Sequence, residues 1–537
     1  MAEDEAGLLL YQGRIRTLAG ARGVGTWIAL RGNRILAVGR GQVPRRFRSA
    51  PALDLKGRTV LPAFTDAHAH LLRIGLRHLQ LDLGGCAAKG EALRAVAARA
   101  RALAPGHFIR GFGWDQTAWG EDAFPTHQEL DAVAAAHPVY LERVDAHAVW
   151  VNSRLLKTAG VTAATPDPPG GAILRDARGD PTGILLDRAR ELLAPHLPPW
   201  TADEKTAALL EAAAACHRVG ITSLHDAAVS AATLRLLHRL SGEGQLRLRV
   251  YAMLHGEEAL EEVLPLGPRV GLYGGFLTVR AVKLFVDGAL GSRGAALLTP
   301  YNDAPGENGL LLTDEETIAQ VASRALSHGF QVCAHAIGDR AVRETLRAYH
   351  RLREAFPEVA GARLRVEHAQ IVHPADLTAF GDLPLIASIQ PTHATTDMRW
   401  AEARLGPERL PGAYAWRSLL KAGAVLAGGS DAPIEALSPL AGVYAAVTRQ
   451  DAAGNPPGGF RPKERLTIRE ALDLYTRGAA YAAFEEGERG RLRPGALADL
   501  VVLSADPFLL SPKELLEITV DYTILDGAVV YAREGTD

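Results

Sequence analysis

Two histidines, His68 and His70, are separated by one residue and directly follow the apolar segment TVLPAFTDA. In an extended chain, residues two apart project to the same side, so both imidazoles can bind a single metal ion. Further metal-competent side chains stand at the ends of other apolar segments, namely His335, His368 and Asp431. The sequence therefore predicts a metal centre assembled from the ends of several strands.

Lys283 is the second residue with distinctive chemistry. It lies inside the apolar segment RAVKLFV, in a chain that has only eight lysines against 51 arginines. Burial lowers the pKa of a lysine, and a neutral amine can react with carbon dioxide to form a carbamate, an anion able to bridge two cations. The alternative is a lysine at a strand end whose amine reaches solvent.

These side chains need a scaffold whose strand ends converge. The middle of the chain alternates short apolar segments with helical patterns, and eight segments qualify as strands: 59–64, 221–225, 247–254, 280–286, 330–335, 364–368, 384–390 and 424–430. Capping boxes at Thr201, Thr313 and Thr467 mark helix starts between or after them. Eight strands covered by helices predict an α/β protein with a (β/α)8 TIM barrel, whose active sites form at the carboxyl ends of the strands.

The two ends of the chain have a different character. Turn residues Gly32 and Asn33, and Asp526 with Gly527, separate β-favouring segments and predict hairpins. We expect both termini to combine in one β-sandwich, formed by residues 1–58 and 488–537, flanking a barrel over 59–487. The stretch 71–200 after the first strand is too long for an ordinary loop and is predicted to be an insert or lid.

Composition narrows the class of function. With 47% hydrophobic and 22% charged residues and a formal charge of -2, the chain gives no electrostatic reason to bind nucleic acid or a membrane surface. Its three cysteines, Cys86, Cys216 and Cys333, form no CxxC pair. No signal peptide or long apolar run is visible, so we expect a soluble cytoplasmic protein with a small-molecule substrate.

Longer motifs add a family resemblance. The sequence resembles the amidohydrolase superfamily, in particular the branch that contains N-substituted formamide deformylases, through segments spread over almost the whole chain: LPAFTDAHAHL (61–71), GWDQ (113–116), DAHAVWVNS (145–153), DPTGILLD (180–187), VKLFVDGALGSR (282–293), AHAIGD (334–339), VEHAQ (366–370), IQPTHATTDMRWAEARLG (389–406), GGSDAP (428–433) and GALADLVVL (495–503). The resemblance implies a (β/α)8 barrel with a composite β-sandwich, and a homodimer.

The resemblance also implies a ligand set. His68 and His70 match ligands of the more buried metal ion, and Lys283 matches a carbamylated bridging ligand. His335 and His368 match ligands of a second ion, while Asp431 matches the aspartate that contacts metal and carries protons. Zinc is the expected metal, with iron, manganese, cobalt and nickel open. The number of ions, one or two, also stays open, as does the presence of a carbamate on Lys283.

The implied activity is hydrolysis of a nonpeptide carbon–nitrogen bond in an amide or an N-formyl or N-acyl amine, by attack of a metal-bound hydroxide with Asp431 as proton shuttle. The same centre can attack a lactone, an ester or a phosphotriester. Deaminases of the superfamily generally lack the lysine, so Lys283 argues against them. A catalytically inactive barrel that acts as a binding protein is the alternative from another class.

Residues for substrate contact are predicted around this centre. His393 is a candidate for binding substrate or stabilising an oxyanion. The other candidates are Trp114, Asp115, His147, Asp287, Arg293 and Gln390. For the candidates in the insert, a structural role, such as stabilising a turn or forming a buried hydrogen bond, is an equal alternative to substrate contact.

Overall fold

The structure is a computed structural model that describes residues 6–20, 23–116, 119–121, 123–143, 148–168, 171–356 and 361–535. The chain forms two compact units. One consists of Met1–Arg73 with Leu210–Asp537, and the other of Ile74–Leu209. The expected insert, 71–200, therefore corresponds to the second unit with small shifts at both ends.

A nearly closed barrel of parallel strands dominates the first unit. Its neighbours pair in chain order, and the strands are Phe64–Ala69, Ile221–Val229, Arg249–Leu254, Leu277–Phe285, Gln331–Ala336, Arg365–His368, Ile386–Ile389 and Val425–Gly428. Beyond the last strand, Asp431 N donates to His68 O at 2.7 Å and His70 N to Ala432 O at 2.9 Å. These bonds link the carboxyl ends of the last and first strands, and the predicted parallel barrel is confirmed.

The first barrel strand differs from its prediction. Thr59–Pro62, expected to open the barrel, instead pairs antiparallel with Leu500–Leu503 in the terminal sheet. The change of sheet occurs at one point, because Ala63 N donates to Asp499 O at 3.0 Å and Phe64 N to Gly220 O at 2.9 Å. The apolar run continues through this point, so the pattern of hydrophobic residues could not mark where one sheet ends and the barrel begins.

Strands from both termini form one sheet of eight strands. They are Leu8–Arg16, Val24–Arg31, Arg34–Gly39, Ala52–Asp54, Thr59–Pro62, Leu500–Leu503, Val520–Leu525 and Ala528–Ala532. Asp526 and Gly527 both have positive φ, which suits the predicted two-residue hairpin turn. The expected combination of the termini is therefore present as one continuous sheet, and its arrangement as a sandwich stays a prediction.

Helices surround the barrel strands. The longer ones are Leu71–Leu79, Ala202–Arg218, Ala231–Gly242, Glu257–Val263, Glu315–Ser327, Asp339–Ala355, Pro391–Asp397, Ala401–Arg409, Trp416–Lys421, Pro439–Thr448 and Ile468–Asp473. Thr201 and Thr467 cap their helices as predicted. The helix Glu315–Ser327 is capped by Asp314, which accepts a hydrogen bond from Thr317 N, and not by Thr313, which donates to Phe285 O. None of the helices in the described ranges combines the length and apolarity needed to cross a bilayer.

The second unit has its own sheet and core. Its strands are Leu81–Asp82, Ile109–Trp114, Val139–Arg143, Ala148–Val151, Gly171–Arg175 and Pro181–Asp187, with helices Lys89–Ala102, His127–Ala134 and Ser153–Thr158. Aromatic rings fill the centre, where Trp114 lies 6.0 Å from Trp150 and 6.2 Å from Phe124 between ring centroids. Such edge-on pairs stabilise a core beyond the area they bury, so this unit has a hydrophobic core of its own.

Candidate metal centre

The predicted ligands come together at the carboxyl ends of the barrel strands. His68 lies in the first strand, Lys283 in the fourth and His335 in the fifth, while His368 ends the sixth. His70 and Asp431 follow the first and last strands. Because the strands are parallel and adjacent, side chains that are far apart in sequence meet at this end.

The histidine rings form a compact cluster. The ring centroids of His68 and His368 are 4.8 Å apart, and those of His335 and His368 are 4.5 Å apart. Ligand atoms of His68, His368 and Asp431 all lie within 4.8 Å of one another, and all three residues are buried. This spacing suits several donors directed at a common cation.

Unpartnered atoms test whether a metal fits. His335 Nε2 and His368 Nδ1 are buried without a hydrogen-bond partner among the described residues. Burial and the charge of Lys283 lower the pKa of His335 to about 3 and that of His68 to about 4, so both rings are neutral and offer lone pairs. Neutral imidazoles with a carboxylate suit zinc and similar divalent ions, and the donor set therefore fits a metal.

Lys283 is buried as the sequence predicts. Its side chain is 1% exposed, and its Nζ lies 3.4 Å from His68 Nε2. Burial lowers the pKa of this amine from its ordinary value. The lysine is thus a side chain of the centre itself, and the alternative of an amine that reaches solvent is excluded by its burial.

Asp431 joins three histidines. Its Oδ1 lies 3.2 Å from His70 Nε2 and 3.7 Å from His68 Nε2, and its Oδ2 lies 3.2 Å from His393 Nε2. Burial raises the pKa of this carboxyl, but hydrogen bonds from His393 and His70 outweigh it and hold the pKa well below its ordinary value. Asp431 is therefore ionised near neutral pH.

His393 carries a positive charge in this group of side chains. It lies on the short helix Pro391–Asp397 after the seventh strand, and its Nδ1 is 3.6 Å from Glu435 Oε1. Burial lowers its pKa, but hydrogen bonds to Asp431 and Glu435 outweigh that effect and raise the pKa to about 10. Near neutral pH the ring carries a positive charge next to Asp431.

A buried ion pair that the sequence analysis missed orients His68. Glu367 Oε2 lies 2.5 Å from His68 Nδ1, and Glu367 Oε1 accepts from Arg365 Nε at 2.6 Å. Burial raises the pKa of Glu367, but the Arg365 charge outweighs it and holds the pKa well below the ordinary value. A carboxylate on Nδ1 fixes the ring so that Nε2 faces the centre. In the sequence, this pair could have been found from Arg365 and Glu367, two charged residues that alternate with apolar ones in the segment LRVEH.

Removing Arg365 should be costly for stability. Arg365 and Glu367 are both 0% exposed, so Arg365→Met leaves a carboxylate buried without its cation. We expect the free energy of unfolding to fall by about 3–5 kcal/mol, measured by urea titration. Arg235→Met is the control, because this arginine contacts Glu258 and Glu262 on the surface, where solvent screens the charges, and its loss should leave the free energy of unfolding nearly unchanged. Equal small changes in both variants would contradict this account.

A close approach between the first and last strands fixes the geometry further. Asp66 accepts from Ser430 Oγ at 2.5 Å and from His68 N at 3.0 Å. Gly429 lies so near that a Cβ there would come within 2.5 Å of His68 N, which excludes any larger residue. His68 and Asp431 are thus held by backbone contacts as well as by side chains.

The predicted substrate contacts near the barrel have other partners in the structure. Asp287 is buried and accepts from the backbone N–H groups of Ala296, Ile337 and Gly338 at 2.8–3.0 Å, with Oδ1 3.5 Å from His335 Nε2. Gln390 is buried and donates to Ser388 O. Arg293 pairs with Asp303. Asp287 is therefore held by backbone contacts next to His335. Substrate contact by Asp287, Arg293 and Gln390 stays a prediction.

In the insert, the structure assigns Trp114 to the core rather than to a substrate surface. Trp114 is 0% exposed, and its indole N–H donates to Leu141 O at 2.8 Å. Asp115 accepts from Arg143 Nη2 at 2.7 Å. His147 lies outside the described residues. The bulk of a tryptophan suits either a core or a ligand surface, which is why the sequence could not separate the two.

A serine, a histidine and an aspartate also meet in the insert. Ser153 Oγ and Asp131 Oδ2 lie 2.8 Å and 2.9 Å from the same nitrogen, Nδ1 of His127. A nucleophilic triad needs the serine on one ring nitrogen and the carboxylate on the other. This group therefore has the geometry of a structural contact and does not compete with the metal centre.

Comparisons with known proteins find relatives over nearly the whole chain. The profile of the amidohydrolase family matches residues 52–531. The Bacillus subtilis (strain 168) protein YtcJ is 34% identical over 491 residues, covering 90% of each chain. An N-substituted formamide deformylase from Arthrobacter pascens is 30% identical over 554 residues, covering 98% of this chain and 99% of its own.

A solved structure is similar throughout its length. The crystal structure of an uncharacterized metal-dependent hydrolase from Pyrococcus furiosus superposes with a TM-score of 0.76 at 31% identity. The match covers 93% of this chain and 99% of the other. The family match, residues 52–531, includes all the residues that build the centre.

Proposed function

The chain belongs to the amidohydrolase family and is a metal-dependent hydrolase, and from this we propose that it hydrolyses a carbon–nitrogen bond in a nonpeptide amide, such as an N-formyl or N-acyl amine. One observation carries the proposal most directly. An ionised, buried carboxylate, Asp431, lies between the neutral histidine His68 and the charged histidine His393.

The residues that would hold the metal are those that converge at the strand ends. We assign His68, His70, His335, His368 and Asp431 as the residues that would hold zinc, with Lys283, as its carbamate, as the sixth ligand. The unpartnered nitrogens of His335 and His368 support this assignment. A divalent cation bound there lowers the pKa of water and polarises a carbonyl oxygen.

Asp431 is the proposed proton carrier. A water molecule that attacks the carbonyl carbon gives up a proton, which a carboxylate oxygen of Asp431 accepts. Collapse of the tetrahedral species breaks the carbon–nitrogen bond, and Asp431 returns the proton to the leaving nitrogen, which departs as an amine. The low pKa of Asp431 in the structure keeps its carboxylate ionised near neutral pH, which is the state that the first of these transfers requires.

His393 supplies positive charge next to Oδ2 of Asp431, whereas His68 and His70 lie next to Oδ1. Its Nε2–H donates to Asp431 Oδ2 at 3.2 Å, and its pKa of about 10 keeps the ring protonated near neutral pH. The fixed positive charge of this ring stabilises negative charge that develops on the substrate oxygen. We therefore propose His393 as the residue whose charge stabilises the oxyanion.

The relative from Arthrobacter pascens supports the substrate class. It is an N-substituted formamide deformylase, and similarity to it covers nearly the whole of both chains. An N-formyl amine presents a small carbonyl carbon and an amine leaving group, which suits the proton transfer assigned to Asp431. N-formyl amines are therefore the first substrates to test, followed by larger N-acyl amines.

Metal content and turnover test the proposal together. Protein purified without chelator should contain about two divalent ions per chain and release amine from an N-formyl amine such as N-benzylformamide. Dialysis against a chelator should lower this activity at least roughly tenfold, and added zinc should restore it. Elemental analysis and an amine assay provide the two measurements.

The outcomes separate the alternatives. Protein that binds no metal, even after reconstitution, would overturn the assigned centre. Metal-loaded protein that hydrolyses lactones or phosphotriesters but no amide would retain the centre and reject the carbon–nitrogen bond. Activity that survives complete metal removal would reject the assigned chemistry.

A further inference from the structure

A second cavity lies away from the metal centre. Its volume is about 810 Å³, and it opens beside Ala424, Val425 and Leu426, at the amino end of the last barrel strand. Its walls come from the helices Trp416–Lys421 and Ile468–Asp473 and from the turn after the second of them. Asp431 follows the opposite end of the same strand, so this cavity is separate from the proposed active site.

The inner wall of the cavity is largely apolar. Leu426, Leu466 and Leu474 are 6%, 3% and 2% exposed and line it together with Leu420 and the ring of Tyr481. Ligand pockets in proteins are typically about 300–1,000 Å³ with apolar walls and a few polar groups. Size and lining are therefore those of a site for a small organic molecule.

The carboxylates at this cavity are already neutralised. Glu470 forms two hydrogen bonds with Arg417, both at 2.6 Å, and also caps its own helix through Thr467. Asp473 pairs with Arg469, and Glu486 pairs with Arg363 at 2.6 Å. Each of these carboxylates is therefore paired with an arginine, and none is paired with the other cations that line the cavity.

Three cations at the cavity have no such partner. Within the described ranges, the side chains of Lys421, Arg477 and Arg491 make no hydrogen bond or ion pair, although they line the same space. Arg491 is half-buried, whereas Lys421 and Arg477 are exposed at the cavity. Three cations that line one space without carboxylate partners create a positive potential there, which favours an anionic group from outside the chain.

We infer that this cavity binds a small organic anion, a carboxylate or sulfonate with an apolar body. The anionic head would accept hydrogen bonds from Arg491 and sit in the field of Lys421 and Arg477. The apolar body would pack on Leu426, Leu466 and Leu474. This site is independent of the proposed hydrolysis, because it shares no residue with the metal centre.

The test uses 8-anilinonaphthalene-1-sulfonate, an aromatic sulfonate whose fluorescence rises in apolar surroundings. The metal-loaded protein of residues 1–537 should bind one molecule per chain in a saturable titration. Arg491→Met should weaken this binding roughly tenfold, the loss expected when one charged hydrogen bond is removed. Arg477→Met at the cavity rim should weaken it less. Octanoate should displace the probe, whereas octanol, which has a similar chain without the charge, should not.

Lys513→Met is the matched control. Lys513 is exposed on the short helix Lys513–Glu517 and does not line the cavity, so its loss removes one charge elsewhere. The Lys513→Met protein should bind the probe with the same affinity as the unaltered protein. Thermal unfolding should show that all variants are folded. Absence of saturable binding, equal affinity in Arg491→Met and Lys513→Met, or displacement by octanol as readily as by octanoate would overturn the inference.

Discussion

Asp431→Asn should lower the turnover number roughly 10³-fold, the size of effect expected when a positioned acid–base group is removed. Asparagine has the same shape and can still contact His70 and His393, but it cannot accept and return a proton. Asp431 has a φ of 59°, a left-handed conformation that asparagine adopts more readily than most residues. The variant should therefore fold normally while losing most of its activity.

The measurement is the rate of amine release at saturating substrate, with thermal unfolding and metal content recorded on the same protein. Asp376→Asn is the control, because it makes the same chemical change at a helix surface where Asp376 pairs with Arg343. Its turnover should stay within about twofold of the unaltered protein. Turnover near the normal rate in metal-loaded Asp431→Asn would remove Asp431 from the proton pathway.

Lys283→Met should abolish the proposed binuclear centre. We expect one ion or fewer per chain and a loss of turnover of roughly 10³-fold, because a bridging anion can form only on an amine that adds to carbon dioxide with loss of one proton. Methionine fills a similar volume and needs no solvation, so the buried site should tolerate it. Protein prepared in ¹³C-bicarbonate should show a carbamate carbon signal that Lys283→Met lacks.

Two variants separate this chemistry from simple loss of charge. Lys283→Arg keeps a cation but cannot form the carbamate, and it should be as inactive as Lys283→Met. Lys463→Met changes an exposed lysine and should retain metal, activity and the carbamate signal. A Lys283→Arg protein with two ions and normal turnover would show that the carbamate is not required.

Much of the barrel was predictable because its strands are apolar and end in unusual residues. HAH at 68–70 and single ligand-type residues after other strands indicated one end of a parallel barrel, and the structure brings these side chains together there. Lys283 was recognisable because one of few lysines stood inside an apolar strand, and it is buried as expected.

Other features needed three-dimensional contacts. The pairing of Arg365 with Glu367 depends on both side chains facing the interior, where only a tertiary partner makes their burial tolerable. The boundary between Pro62 and Phe64 lies in an unbroken apolar run, so hydrophobicity could not locate it. Substrate residues were least predictable, since Trp114 has the same side chain whether it meets a ligand or fills a core.

The sheet that joins both termini has a consequence for biosynthesis. Thr59–Pro62 can pair with Leu500–Leu503 only after the ribosome has made the intervening residues, which takes roughly 20–90 s at 5–20 residues per second. During that interval the strand next to the start of the barrel has an open edge, and open edges recruit other chains. We expect C-terminally truncated chains to aggregate, even though they keep every residue of the metal centre.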